Sequence, residues 1–295
     1  MKIKTKCRSI LILIGLLFWS QHGISQTPDT TWVYKSINDK DLELSVFLPS
    51  NYKNSEKEFP TIAIFHGGAW NKGDVSMHFP DCTYWSKRGM IAISVDYRLK
   101  TRDNVEVPLE CVKDAKSVIR FLRKNAKNLK VNPNKIVTAG GSAEGQLAAA
   151  TAMITDEKIN DDFYNLSISC VPNAVILYNP WFKCSESLSP PFHITKNLPS
   201  IITFSGGQDP GIPVQQMIDF HNALKKVGNP SELYIGKKGK HGFCNGRNKN
   251  NRFFYWSLEY ADEFLVKNNI LSGENLVVRP NNVQKLTADE YQVYR

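Results

Sequence analysis

Ser142 stands between Gly140-Gly141 and Ala143-Glu144-Gly145, where the run Ile136-Val137-Thr138 gives way to alanine-rich helix formers. A strand, a tight turn and a helix are expected there. A serine at such a turn can present its hydroxyl as a nucleophile beside the backbone N–H of the next residue. The hydroxyl alone is a weak nucleophile, so it needs a base, and the base needs a third group to fix its tautomer. His241, in the loop after the last expected strand, and Asp209, after Ser205-Gly206-Gly207-Gln208, are the candidates for these roles. In His66-Gly67-Gly68-Ala69-Trp70, two glycines follow a buried strand and let backbone N–H groups turn toward one point, as an oxyanion requires. This chemistry needs no metal and no cofactor.

Other residues of the right type fit bland roles better. His66 opens the glycine turn and is expected to brace it, and His78, His193 and His221 lack a matching carboxylate context. Asp219 falls inside an expected helix, Asp96 ends a strand and Asp114 sits on a charged helix face, so all three read as structural. Trp70 is a candidate for lining an acyl pocket, with simple packing as the alternative.

The elements that must position these groups alternate. Residues 31–34 and 42–48 read as two strands joined by Asn38-Asp39-Lys40, because Leu42, Leu44, Val46 and Leu48 recur with period two. Residues 61–65, 90–95, 174–178 and 201–204 are continuous apolar runs suited to strands buried on both faces. After Pro108, a helix places Leu109, Val112, Ala115, Ile119, Leu122 and Ala126 on one stripe with lysines and arginines opposite. Residues 214–227 read as a helix, 232–235 as the last strand and 252–268 as a closing helix. An antiparallel entry followed by alternating strands and helices predicts an α/β fold: one mostly parallel, doubly wound sheet, with residues 26–295 as a single domain. The tail from Ser272 is expected to pack loosely on the surface or against another subunit.

Composition narrows the setting. Lys2, Lys4, Lys6 and Arg8 precede an apolar run from Ile10 to Trp19 and then Gly23-Ile24-Ser25, so residues 1–25 read as a secretory signal peptide cleaved near Ser25. Its loss removes those four basic residues and no acidic one, and the formal charge falls from +9 to +5. The remaining lysines are scattered without an aromatic-basic platform, which argues against nucleic acid as a partner. No later stretch is long enough to insert in a membrane. Cys82, Cys111, Cys170, Cys184 and Cys244 remain, an odd count that leaves at least one thiol outside any intramolecular disulfide, and no spacing resembles a zinc site.

In an open α/β sheet, ligand sites lie at the carboxyl ends of the strands. The glycine turn, Ser142, Asp209 and His241 all end strands or follow them, and the order Ser, Asp, His is that of the α/β-hydrolase triad. The chain resembles the α/β-hydrolase esterases, specifically the branch related to hormone-sensitive lipase and to acetyl and feruloyl esterases of bacterial carbohydrate-degrading systems. That resemblance rests on His66-Gly67-Gly68-Ala69-Trp70 with Gly73-Asp74, Asp96-Tyr97-Arg98-Leu99, the Ser142 elbow, Ser189-Pro190-Pro191 through Leu198-Pro199, Gly206 to Asp209 with Pro213, and His241-Gly242-Phe243. It covers nearly all of the chain beyond the leader.

The resemblance implies that Ser142 attacks an ester carbonyl, His241 takes and returns the proton, and Asp209 orients the imidazole. It implies an oxyanion hole from the N–H groups of Gly68, Ala69 and Ala143, with Gly67 as a further candidate. One position departs from the pattern: Glu144 stands where glycine is usual, and Gly145 follows it. A carboxylate in the first helical turn is favoured by the dipole. Glu144 is therefore expected to stabilise the protonated histidine or narrow the acyl pocket, or else to distort the oxyanion site and leave a weakly active relative. The segments around 155–172 and 181–198 are short, so no bulky cap covers the site. The expected function is a secreted or periplasmic serine esterase acting on acetyl or feruloyl esters of plant-type polysaccharides or oligosaccharides. A general carboxylesterase, a peptidase-like hydrolase and a non-catalytic sugar-binding or interaction protein are the alternatives.

Overall fold

The computed structural model describes residues 27–162 and 166–295; the leader and its expected cleavage point lie outside the described residues. The chain enters as a hairpin of β1 (Thr30–Ile37) and β2 (Lys40–Phe47), joined through Asn38 and Asp39, whose φ angles of 49° and 58° are those a type I′ turn requires. Leu42, Leu44 and Val46 alternate into the core. Six strands then run parallel: β3 (Phe59–Phe65), β4 (Ile91–Val95), β5 (Val131–Gly141), β6 (Ala174–Tyr178), β7 (Ser200–Gly206) and β8 (Ser231–Gly236). With β9 (Tyr291–Tyr294) they form one nine-stranded sheet in the order β1-β2-β4-β3-β5-β6-β7-β8-β9, antiparallel only at the two ends.

Both faces of the sheet are covered, which is why the central strands read as unbroken apolar runs. Ala63 and Phe65 of β3 face a core completed by α3 (Leu109–Lys124) and α4 (Ala143–Met153). Ile62 and Ile64 face the opposite core, completed by α1 (Phe79–Lys87) and α6 (Arg252–Lys267). The four-residue α2 (Lys100–Asp103) precedes α3, and α5 (Val214–Lys226) packs beside β8.

Three expectations are corrected. The polar side of α3 is not a solvated face: Asp114, Lys116 and Arg120 are buried. Lys35 of β1 and Arg98 both pair with Asp114, while Asp156 and Ile159 supply carbonyls to Lys116, and Ile168 a carbonyl and Asp162 a carboxylate to Arg120. The tail does not pack loosely. Tyr291–Tyr294 adds β9 to the open edge of β8, and Arg252 pairs with Glu290 just before it. An added strand satisfies backbone groups that an exposed edge leaves unpaired. Finally, α1 is absent from the sequence expectation; Pro80 lies in its first turn, where the missing N–H costs nothing. The five cysteines of the described residues are free thiols.

Candidate active site

The strand-to-helix turn after β5 holds Ser142 at φ 58° and ψ −128°, left-handed backbone that a serine adopts only when its surroundings insist. They do so through Tyr178, Pro180 and Trp181, at and just beyond the end of β6. The Ser142 N–H donates to the Tyr178 carbonyl at 2.8 Å, and the Trp181 N–H donates to the Ser142 carbonyl at 2.8 Å. Pro180 sits where a side chain on Gly145 would have to go, with Cβ 2.9 Å from a Cβ built there. The close helix approach that the turn requires therefore falls at Gly145, which leaves position 144 free to carry a side chain.

Ser142, His241 and Asp209 meet. His241 Nε2 lies 2.9 Å from Ser142 Oγ, and its Nδ1 lies 2.8 Å from Asp209 Oδ2. The His241 side chain is 43% exposed, whereas the Asp209 carboxyl is fully buried behind it. Asp209 Oδ1 accepts from the N–H groups of Gly211 and Ile212 at 2.9 and 3.1 Å, and the Asn179 amide donates to Oδ2. Burial by itself raises this carboxyl, but the Gly211 N–H, the imidazole and the Ile212 N–H outweigh it and hold the pKa below the ordinary value. Asn179 was not among the sequence candidates. The Asn-Pro pair closing a strand marks its place, but nothing in the sequence shows that its amide reaches a carboxylate 30 residues away.

On the other side of Ser142, the glycine turn folds over Glu144. Gly68 has φ 154°, and a Cβ there would lie 1.6 Å from the Lys72 carbonyl. Ala69 and Trp70 follow with φ of 58° and 56°, two successive left-handed residues. Glu144 clamps this bend. Its Oε2 accepts from the Gly68 N–H at 3.1 Å, and its Oε1 accepts from the Trp70 N–H and the Tyr97 hydroxyl, both at 2.8 Å. The carboxyl is 0% exposed, and burial pushes its pKa up to about 7 against these hydrogen bonds. The Tyr97 hydroxyl oxygen also lies 2.8 Å from the His66 carbonyl, and the His66 ring stacks on Tyr97 with centroids 4.6 Å apart. Burial lowers the pKa of His66 to about 4, so it is a neutral brace.

This geometry corrects four assignments. Glu144 lies beneath the turn and reaches neither substrate space nor His241, so it neither narrows the pocket nor stabilises an imidazolium. Trp70 is 9% exposed and outside the Ser142 pocket; its indole N–H donates to the Ala143 carbonyl. Gly68 spends its N–H on Glu144, which leaves those of Ala69 and Ala143 without a hydrogen-bond partner among the described residues. Gly67 lines the pocket. His78 has a carboxylate after all: its Nδ1 is 3.1 Å from Asp81 Oδ2, one helical turn away. The cavity at Ser142 has a volume of about 360 Å³ and is further walled by Met77, Tyr178 and Cys244.

Comparison with known proteins finds esterases. The BD-FAE family matches residues 44–180, and the prolyl oligopeptidase family matches residues 179–267. Esterase 2 of Thermogutta terrifontis, solved in a form phosphonylated by cyclosarin, superposes with a TM-score of 0.80 at 36% identity, covering 86% of this chain and 99% of that one. The acetylxylan esterase of Xylanibacter ruminicola is 24% identical over 248 residues, 79% of this chain and 50% of that protein. Lipase 2 of Moraxella sp. is 28% identical over 158 residues, 46% of this chain and 36% of that protein. The chain thus spans half or less of the length of these two curated relatives.

Proposed function

The chain belongs to the α/β-hydrolase esterases, and within that family we propose that it hydrolyses carboxylic esters of short-chain or feruloyl acids by a Ser-His-Asp acyl-enzyme mechanism. The observation that carries this reading is the unbroken relay from Ser142 Oγ through the His241 ring to Asp209. His241 Nε2 takes the Ser142 proton as the hydroxyl attacks the ester carbonyl, and then gives it to the departing alcohol. Asp209, held charged, keeps the other ring nitrogen protonated and favours the imidazolium that forms. The N–H groups of Ala69 and Ala143 receive the oxyanion, each worth about 3 to 4 kcal/mol by comparison with measured donors. Water then repeats the sequence on the acyl-enzyme.

The substrate we favour is an acylated plant-type polysaccharide or oligosaccharide, met outside the cytoplasm in the secreted or periplasmic space. The similarity to an acetylxylan esterase, the basic-apolar leader and the solvent-exposed imidazole support it. Labelling by a fluorophosphonate, lost in Ser142→Ala, together with release of nitrophenol from nitrophenyl acetate, tests the mechanism. A folded protein that neither labels nor hydrolyses is a binding module on a hydrolase scaffold. Product analysis on acetylated and feruloylated xylan then tests the substrate. The match of residues 179–267 to the prolyl oligopeptidase family favours a second reading, amide hydrolysis by the same residues; turnover of a peptidyl nitroanilide faster than of the ester would select it.

A further inference from the structure

We propose that the Ser142 pocket continues into a cationic groove that holds the alcohol side of the substrate, and that this part is an acidic oligosaccharide carrying uronate carboxylates. The proposal rests on the esterase reading above and extends it to substrate class. Next to the Ser142 pocket lies a second cavity of about 350 Å³, and Arg247 lines both. One face of α1, from Pro80 to Lys87, forms one wall; residues 246–249, the start of α6 and residues 276–278 complete the cavity, and Pro80 lies close against Gly246. Two cavities in series suit an elongated occupant better than a single small anion.

The charge of this path is one-sided. Lys72 and Arg247 stand at the Ser142 pocket, and Lys87 and Lys249 join Arg247 in the second cavity. All four are exposed, and among the described residues none makes an ion pair. Among the described residues Asp81 is the single carboxylate lining either cavity, and it is 5% exposed and turned to His78. Several cations elsewhere, Lys35, Arg88, Arg98, Arg120 and Arg252 among them, are instead held in ion pairs. The larger cavity on the Asp209 side, beside Trp181, balances Lys183 with Asp219. Uncompensated charge inside a concave, low-dielectric wall focuses the field on whatever enters it.

The second cavity also presents Tyr84, Phe254 and Tyr255, apolar rings among the cations. Rings and cations together suit a sugar chain that offers C–H faces and carboxylates. A bilayer surface presents charge too, but it cannot enter two concave pockets in series.

Binding to full-length Ser142→Ala, measured calorimetrically at low salt, tests this without depending on turnover. The probes are a xylo-oligosaccharide bearing one glucuronate branch and its neutral counterpart. The expected result is a roughly tenfold tighter Kd for the acidic chain, the combined effect of a few exposed charge pairs. That preference is expected to collapse toward unity in about 0.5 M salt, where screening is short-ranged, and in a Lys87→Gln/Lys249→Gln background. Equal binding of the two chains, or a preference indifferent to salt and to the double variant, overturns the proposal. So does selective binding to phosphatidylglycerol over phosphatidylcholine vesicles without discrimination between the sugars. Nitrophenyl acetate turnover by the unmodified enzyme reports separately on the esterase reading, so the two can fail independently.

Discussion

Two buried carboxylates flank Ser142, and their surroundings shift their pKa values in opposite directions. Asp209 and Glu144 are both sealed from solvent, and each accepts two backbone N–H groups. Asp209 has in addition an amide and an imidazole that can become a cation, and its pKa lies below the ordinary carboxylate value. Glu144 has a phenol and no cation, and its pKa is pushed up to about 7. At Asp209 the Gly211 N–H, the imidazole and the Ile212 N–H together outweigh burial, whereas at Glu144 burial outweighs the donors that hold the loop in shape. The contrast also explains how a chain can tolerate a glutamate where glycine is usual: the carboxyl turns inward and replaces missing loop stability with hydrogen bonds.

The largest blow to this contrast is Asp209→Asn, which keeps the shape and removes the charge. Its expected effect on kcat for nitrophenyl acetate is a loss of about 10,000-fold, the size seen when a triad carboxylate becomes an amide. A loss under tenfold would put another carboxylate behind His241.

Glu144→Gln addresses the other side. Its amide turns a donor toward one of the N–H groups that Glu144 now accepts, so the turn loosens. We expect kcat about tenfold lower at pH 8.5, the cost of roughly one lost charge-assisted hydrogen bond, and near parity with the parent at pH 5.5, where the parent's carboxyl is itself protonated. A constant ratio across that range would show that the charge of Glu144 is irrelevant. Stability should respond with the opposite trend. The folded chain keeps the Glu144 proton up to about pH 7 and the unfolded chain releases it near the ordinary value of 4.5. The folded state therefore binds more protons between these limits, and this residue's contribution to stability falls as pH rises through them, by on the order of 3 kcal/mol. Chemical denaturation against pH should show that decline in the parent and not in Glu144→Gln.

Asn179→Ala removes the amide donor from Asp209 without touching the histidine. The expected loss is about fivefold in kcat, corresponding to one hydrogen bond of about 1 kcal/mol, with an apparent acidic pKa of the rate profile shifted upward. Tyr97→Phe, which deletes one of three donors to Glu144, should cost about 1 kcal/mol in denaturant stability. That loss should shrink in the Glu144→Gln background if the two groups act as a unit.

Much of this architecture is legible in the sequence because it is local. The apolar run Ala174–Tyr178 becomes a strand with those bounds, and the runs at 61–65 and 201–204 become the cores of β3 and β7. The meeting of Ser142, Asp209 and His241 is legible from chain order, since each sits at or just beyond a strand end on one rim. What escapes is the set of contacts whose partners are remote. Glu144 bonds residues 74 and 76 positions away, and Lys35 reaches Asp114 across 79, so neither burial leaves a periodic trace. The aromatic and β-branched run in 291–294 shows strand chemistry, but its role as an edge depends on β8 lying open beside it.

The stretch 178–181 at the end of β6 gives the site a mechanical property that no single side chain supplies. One residue anchors the amide of Ser142, the next reaches the Asp209 carboxylate, the third props the helix and the fourth ties down the Ser142 carbonyl. These tethers are spaced by one rigid backbone, so the two halves of the relay cannot drift apart independently. A distortion entering at either end is carried to the other, so one tetrapeptide gauges the spacing between Ser142 and Asp209.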